Sequence, residues 1–97
     1  MEIKIIDEKE FLVILEGRLD TTTAPNLEKA LSEYKLDKDL VFDFKNLQYI
    51  SSAGLRLLLS YKKKVSQNNL KEIVRSPNDV VMEVFHVTGF ENILTIE

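Results

Sequence analysis

Cysteine and tryptophan are absent from this chain of 97 residues, and histidine occurs once, as His86. Without cysteine there is no disulfide framework and no thiolate metal site, and one histidine cannot build a site from several imidazoles. No apolar run approaches the roughly 20 residues of a membrane-spanning helix. The start, Met1 to Lys4, lacks the charged-then-apolar layout of a signal peptide. We therefore expect a soluble, cytoplasmic domain without a metal or a cofactor.

The chain also lacks an excess of positive charge. It carries 13 basic and 16 acidic residues, for a net charge of −3, which gives no reason to expect direct binding of nucleic acid. The lysines at 62–64 are typical of a solvated helix end. An apolar fraction of 44% is enough for a core, and the length fits one domain spanning residues 1–97.

Strand-like and helix-like apolar patterns alternate along the chain in the order β-β-α-β-α-β-α-β. This order predicts an α/β domain with a mixed sheet of about five strands, an opening hairpin and helices packed against the sheet. The continuous apolar run Phe11–Leu15 suggests a strand covered on both faces. The predicted strands are 2–6, 11–15, 40–44, 70–75 and 93–96, and the predicted helices are about 24–35, 53–67 and 77–88.

Capping residues mark the predicted helix ends. Thr23 before Pro25 is a plausible start for the first helix, and Ser76 before Pro77 for the third. Gly89 is expected to close the third helix. The apolar face of that helix is predicted to contain Val80, Val81, Val84 and Phe85, while Met82 and Val87 could be left outside for a partner.

The most informative segment is Ser51-Ser52-Ala53-Gly54, where a strand-like run gives way to a helix. The first N–H groups of a helix lack internal partners and carry the positive end of its dipole. A serine there can cap the helix, and the same position can accept a phosphate. Both interpretations are open from the residues alone. Gly54, having no side chain, would let another backbone or a nucleotide phosphate come close.

A catalytic role for these serines is disfavoured. The nucleophile elbow G-x-S-x-G is missing, and so are the glycine-rich phosphate loops. A nucleophilic serine also needs a base, and His86 belongs to the third helix. We expect a protein that is not an enzyme and has no catalytic residue.

Asp20-Thr21-Thr22-Thr23 forms a second polar segment after a strand. Its simple interpretation is turn and capping chemistry. A functional interpretation requires this loop to lie beside Ser52, which follows if the two preceding strands are neighbours, because function in such sheets concentrates at the carboxyl ends of strands. The residues leave both interpretations open.

Taken together, the chain resembles the STAS domain of bacterial anti-sigma factor antagonists over almost its whole length. The matching segments are Gly17-Arg18-Leu19-Asp20, Val41 to Leu47, Tyr49 to Leu55, Ser76-Pro77 and Phe85 to Phe90.

The resemblance implies a switch. Such proteins bind an anti-sigma factor that is also an ATP-using serine kinase, and binding frees the sigma factor. The kinase then phosphorylates the serine two residues before the glycine, here Ser52, and a phosphatase resets the cycle. Asp20 matches the loop aspartate of the family. The expected partner-binding residues are Asp20, Thr21, Thr22, Ser51, Ser52, Gly54 and Arg56.

Two positions depart from the best-known members of the family. Ser51 stands where those members carry aspartate, and Ala53 where they often carry a hydroxyl residue. An alternative function implied by the same resemblance is a constitutive regulatory or structural subunit of a larger assembly, such as a lipid-transport complex or a sensory scaffold. The expected oligomeric state is a monomer or a weak dimer.

Overall fold

The computed structural model describes all 97 residues and contains one five-stranded sheet and three α-helices. The strands are β1 (Glu2–Asp7), β2 (Phe11–Leu19), β3 (Leu40–Ile50), β4 (Glu72–Arg75) and β5 (Thr95–Ile96). The helices are α1 (Ala24–Ser32), α2 (Ser52–Gln67) and α3 (Asp79–Thr88), with a 3-10 turn at Phe90–Asn92. The predicted α/β class and order of elements are confirmed.

The sheet is mixed, and its strands lie in chain order. β1 and β2 are antiparallel, and every later neighbouring pair is parallel. Each parallel connection moves one place in the same direction, so right-handed crossovers put all three helices on one face. Two ring contacts agree with this placement: Phe85 of α3 lies 6.5 Å from Phe44 of β3, and Tyr34 beyond α1 lies 5.6 Å from Phe11.

The core lies between the helices and this face of the sheet. Alternate residues of the strands point into it, as the period of two requires. The opposite face carries no helix, and Leu12 and Ile14 of β2 are only half-buried there. The expectation that β2 is covered on both faces is therefore wrong. The buried core includes Val13, Leu15, Phe42, Phe44, Val74, Leu27, Leu31, Leu55, Leu58, Val65, Val81 and Phe85.

Two strands are longer than their local sequence indicates. β3 continues from Phe44 to Ile50, and β2 continues through Gly17 to Leu19. Gly17 has φ of +100°, and the register between β2 and β3 shifts beside it. The ladder resumes beyond this shift, so pairing between the strands overrides the polar residues that suggest a break.

α3 begins later than predicted. Its N-cap is Asn78, whose Oδ1 accepts a hydrogen bond from the Val81 N–H at 2.8 Å. Ser76 lies outside the helix in a left-handed conformation with φ of 58°, so it is not the cap. Gly89, with φ of 79°, ends the helix as predicted.

The apolar face of α3 is also only partly as expected. Val81 and Phe85 are buried, whereas Val80 is 53% exposed and Val87 is 69% exposed. Val80 therefore does not belong to the core. None of the helices is both long and apolar enough to cross a membrane.

Candidate functional site

The site forms at the carboxyl ends of β2 and β3, where two loops leave the sheet side by side. Leu19 at the end of β2 pairs with Ile50 at the end of β3. The Ser51 N–H then donates to the Leu19 carbonyl at 2.9 Å. Asp20 is the first residue after Leu19, and Ser52 is the second residue after Ile50. The neighbour relation that the functional interpretation of the Asp20 loop requires is confirmed.

The first loop is organised by the Asp20 carboxylate. Its Oδ1 accepts hydrogen bonds from the Thr22 N–H (3.0 Å), the Thr22 hydroxyl (2.8 Å) and the Thr23 N–H (3.2 Å). The bond from the Thr22 hydroxyl is the main reason that the pKa of Asp20 is lowered, and the two backbone donors act the same way. Asp20 therefore keeps its negative charge and stabilises the turn. The structural interpretation of this loop and its position beside Ser52 are thus compatible.

Thr23 occupies the N-cap position of α1, as predicted, but its hydroxyl makes no cap bond to the helix. The hydroxyl instead donates to the Arg18 carbonyl at 2.8 Å and accepts from the Asp20 N–H at 2.8 Å. Thr23 thus fixes the loop from within, while Thr21 and Thr22 are exposed.

Arg18 is a member of the site that the sequence interpretation did not consider. Its guanidinium lies 4.5 Å from the centre of the Tyr49 ring, and its Nε is 3.8 Å from Asp20 Oδ2. Arg18 therefore places a cation beside the Asp20 carboxylate. The signal was available, because Arg18 belongs to the matched segment Gly17-Arg18-Leu19-Asp20 and lies two residues before the aspartate.

The second loop presents two serines in different environments. Ser51 is the N-cap of α2, yet its hydroxyl makes no cap bond and is buried without a hydrogen-bond partner. Ser52 is the first residue of α2 and is exposed. The first turn of α2 contains no acidic residue, so its free N–H groups and the positive end of its dipole are uncompensated. Of the two hydroxyls, that of Ser52 is the accessible one.

Gly54 is buried, and of the two close approaches expected there, that of another backbone is the one observed. A Cβ added there would lie 2.7 Å from Cγ1 of Ile50, 2.9 Å from Cγ of Leu19 and 3.1 Å from the Leu19 carbonyl oxygen. The backbone that approaches Gly54 is thus that of β2 in the same chain. Gly54 lets the start of α2 sit directly on the ends of β2 and β3, and so positions Ser52.

Arg56 lies one turn along α2, exposed, in the wall of a groove between α1 and α2. The groove has a volume of about 330 Å³, and Glu28 of α1 also lines it. A cation and an anion therefore face the same opening beside the two loops. The groove residues are Thr21, Ala24, Pro25, Glu28, Ala53, Arg56, Leu57 and Ser60.

His86 is exposed on α3, where its Nδ1 lies 2.7 Å from Glu91 Oε1. This hydrogen bond is the main reason that the pKa of His86 is raised, and the charge of Glu91 adds to it. No hydrogen bond joins His86 to Ser51 or Ser52. No three carboxylate or imidazole side chains are grouped to hold a metal ion.

Comparisons with known proteins agree on one family. A family model described as STAS domain matches residues 1–97. The chain is 28% identical over 91 residues to an anti-sigma-B factor antagonist of Staphylococcus aureus, covering 92% of this chain and 84% of that protein. It is 26% identical over 99 residues to an anti-sigma-B factor antagonist of Listeria monocytogenes, covering 100% of this chain and 87% of that protein.

Solved structures share the fold at lower identity. An anti-sigma factor antagonist from Mycobacterium paratuberculosis superposes with a TM-score of 0.85 at 23% identity, covering 98% of this chain and 83% of that one. The antagonist SpoIIAA in its unphosphorylated form gives a TM-score of 0.83 at 18% identity, covering 99% and 88%. The phosphorylated form of SpoIIAA from Bacillus gives 0.72 at 16% identity, covering 99% and 89%.

Proposed function

Because the chain belongs to the STAS domain family, we propose that it is an anti-sigma factor antagonist. It binds an anti-sigma factor that is a serine kinase, and a sigma factor is released as a result. Phosphorylation of Ser52 by that kinase, with ATP as the phosphate donor, ends the complex, and a phosphatase restores the binding form. The cycle takes place in the cytoplasm. The protein acts by binding and is a substrate rather than an enzyme.

One observation carries the proposal. The exposed hydroxyl-bearing residue Ser52 starts α2 directly beside the Asp20 loop, because the Ser51 N–H donates to the Leu19 carbonyl at 2.9 Å. Relatives of 26% and 28% identity carry the name anti-sigma-B factor antagonist, which supports the same function. A protein of the same fold, SpoIIAA, occurs in phosphorylated and unphosphorylated forms.

The position of Ser52 suits a switch that leaves the fold intact. A phosphoserine adds about −1.5 to −2 charges at neutral pH, and negative charge is favourable at a helix N-terminus. The first turn of α2 holds no acidic side chain that would repel it. Asp20 lies in the adjacent loop, so the phosphate adds to the negative charge at the carboxyl ends of β2 and β3. A partner that docks there with acidic groups is then repelled.

Arg56 is proposed to pair with the phosphate or with an acidic group of the partner. Its side chain is exposed one turn from Ser52, on the wall of the groove. An Arg56→Ala protein should therefore bind the kinase more weakly or be phosphorylated more slowly. Normal binding and normal phosphorylation of this variant would remove Arg56 from the proposal.

The decisive test is the intact mass of the protein after incubation with ATP and the candidate anti-sigma kinase. Wild type should gain one phosphate, Ser52→Ala should gain none, and Ser51→Ala should still gain one. Ser51→Ala is the matched control because its hydroxyl is adjacent, buried and without a hydrogen-bond partner. Phosphate on Ser51 would mean that Ser51, and not Ser52, is the phosphorylated residue. Tight binding to a partner without any phosphorylation would favour the constitutive subunit instead.

A further inference from the structure

β1 forms an open edge of the sheet. Its six residues pair in an unbroken antiparallel register with β2, and no strand lies on its other side. An edge strand presents a row of unpaired N–H and C=O groups that another strand can use. No proline interrupts β1. The edge is therefore able to accept a further strand along its length.

Two carboxylates meet at this edge, and neither is joined to a cation by an ion pair within the chain. Glu2 of β1 lies directly opposite Glu16 of β2, an arrangement of like charges that destabilises a strand pair. The pKa of Glu16 is raised, chiefly because its carboxyl shares a hydrogen bond with Glu2 and also because of the charge of Glu2. Neither residue takes part in an ion pair within the chain, and Lys4 lies opposite Ile14 instead.

We propose that a second copy of the chain pairs with β1 through its own β1, antiparallel, with Ile3 opposite Ile3 of the second copy. In this register, Glu2 lies opposite Lys4 of the second copy, and the reverse pair forms by symmetry. Across the joined sheet, Glu16, Glu2 and Lys4 of the second copy then lie side by side on three neighbouring strands. Each copy places its Lys4 directly opposite Glu2 of the other, and the two sheets join into one.

The charges of β1 favour this register over its alternatives. In a symmetric pair that keeps the helices of both copies on the same face of the joined sheet, the two-fold axis passes through a residue of β1. The competing registers therefore differ in which residue lies at this centre. A pairing centred on Glu2 sets two glutamates opposite each other, and one centred on Lys4 sets two lysines opposite each other. A pairing centred on Ile5 leaves both lysines opposite Ile6. A pairing centred on Ile6 forms no Glu–Lys pair within β1, because Lys4 would lie opposite Glu8, which is outside the strand. Among these registers, only the one centred on Ile3 forms two Glu–Lys pairs within β1.

A cysteine placed at the centre of the pairing tests this register directly, because the chain has no cysteine of its own. Residues directly opposite each other have Cα atoms about 4.5–5.5 Å apart, which suits a disulfide. Under mild oxidation, Ile3→Cys should form a covalent dimer of twice 11.2 kDa. Ile5→Cys is the matched control, because its two copies would lie about 13 Å apart in this register, four residues along the strand. Equal dimer yields from both variants, or none from either, would overturn the proposal.

Charge reversal provides an independent test on the Ile3→Cys background. Lys4→Glu places glutamates opposite each other at both ends of the pairing, and the dimer yield should fall by about tenfold. Adding Glu2→Lys restores opposite charges in every pair, so the yield should return. Circular dichroism of each variant checks that the fold is retained. If the double reversal fails to restore cross-linking, the register is wrong and Lys4 instead keeps other strands away from the edge.

Discussion

At the level of single residues, the site depends on the close packing of the start of α2 against the ends of β2 and β3. Gly54 is buried against Leu19 and Ile50, and this close approach sets where Ser52 emerges. Ser51, at the neighbouring N-cap, leaves its hydroxyl buried and unpaired. Both residues therefore help to set the position of Ser52, Gly54 through its close packing and Ser51 through the hydrogen bond from its N–H to the Leu19 carbonyl.

Gly54→Ala should destabilise the protein, although alanine normally favours a helix over glycine by about 1 kcal/mol. The added methyl would lie 2.7 Å from Ile50 and 3.1 Å from the Leu19 carbonyl oxygen, and that backbone atom cannot rotate away. Overpacking of this kind costs about 1–3 kcal/mol. Urea denaturation should show the loss in the free energy of unfolding. Ser60→Ala, on the exposed side of α2, should change it by less than about 0.5 kcal/mol, and an equally stable Gly54→Ala protein would contradict the packing role.

At the level of elements, the side chain of Asn78 both caps α3 and binds the backbone of β3. Its Oδ1 accepts from the Val81 N–H at 2.8 Å and starts α3. Its Nδ2 donates to the carbonyls of Leu47 at 3.0 Å and Gln48 at 3.4 Å in β3. One side chain thus caps a helix and fastens it to the late part of β3, the part that the local sequence does not predict as strand.

The two functions of Asn78 can be separated by substitution. Asn78→Ala loses both and should lower the free energy of unfolding by about 1–2 kcal/mol. Asn78→Asp keeps an oxygen for the helix cap but has no N–H to donate to β3, so it should also be destabilising. Thermal unfolding of the three proteins measures both changes. An aspartate variant as stable as wild type would mean that the bonds to β3 contribute no more than the favourable charge that aspartate brings to the helix N-terminus.

At the level of the whole molecule, the shared core contains one buried charge-bearing group, Glu72 at the start of β4. The residue is 1% exposed, and neither carboxylate oxygen has a hydrogen-bond partner. Burial raises the pKa of Glu72 to about 8, and the nearby charge of Lys62 opposes this only in part. The folded protein therefore holds a proton near neutral pH that the unfolded chain would release.

This gives global stability a specific dependence on pH. Because the pKa of Glu72 is raised from 4.5 to about 8 on folding, its favourable contribution is present below pH 4.5 and is lost as the pH rises through 8. Between pH 5 and 8, wild type should lose on the order of 3 kcal/mol relative to Glu72→Gln. Urea denaturation at both pH values measures the difference. Glu33→Gln, at an exposed position, should follow wild type, and parallel pH profiles for wild type and Glu72→Gln would refute the effect.

The sequence by itself determined the order of elements and the serine turn, because apolar periodicity and capping residues are local properties. Gly89 ends α3 as the pattern predicted. Local pattern does not fix boundaries that depend on pairing. The continuation of β3 to Ile50 and the cap at Asn78 rather than Ser76 both depend on contacts between elements.

Only the tertiary structure decided which residues meet. Asp20 and Ser52 are far apart in the sequence, and the pairing of Leu19 with Ile50 brings their loops together. The same packing made Gly54 a buried contact rather than an opening for a ligand. It also buried Glu72, which looks like an ordinary polar residue of a strand. Burial and proximity arise from long-range contacts, and a local pattern of residue types does not contain them.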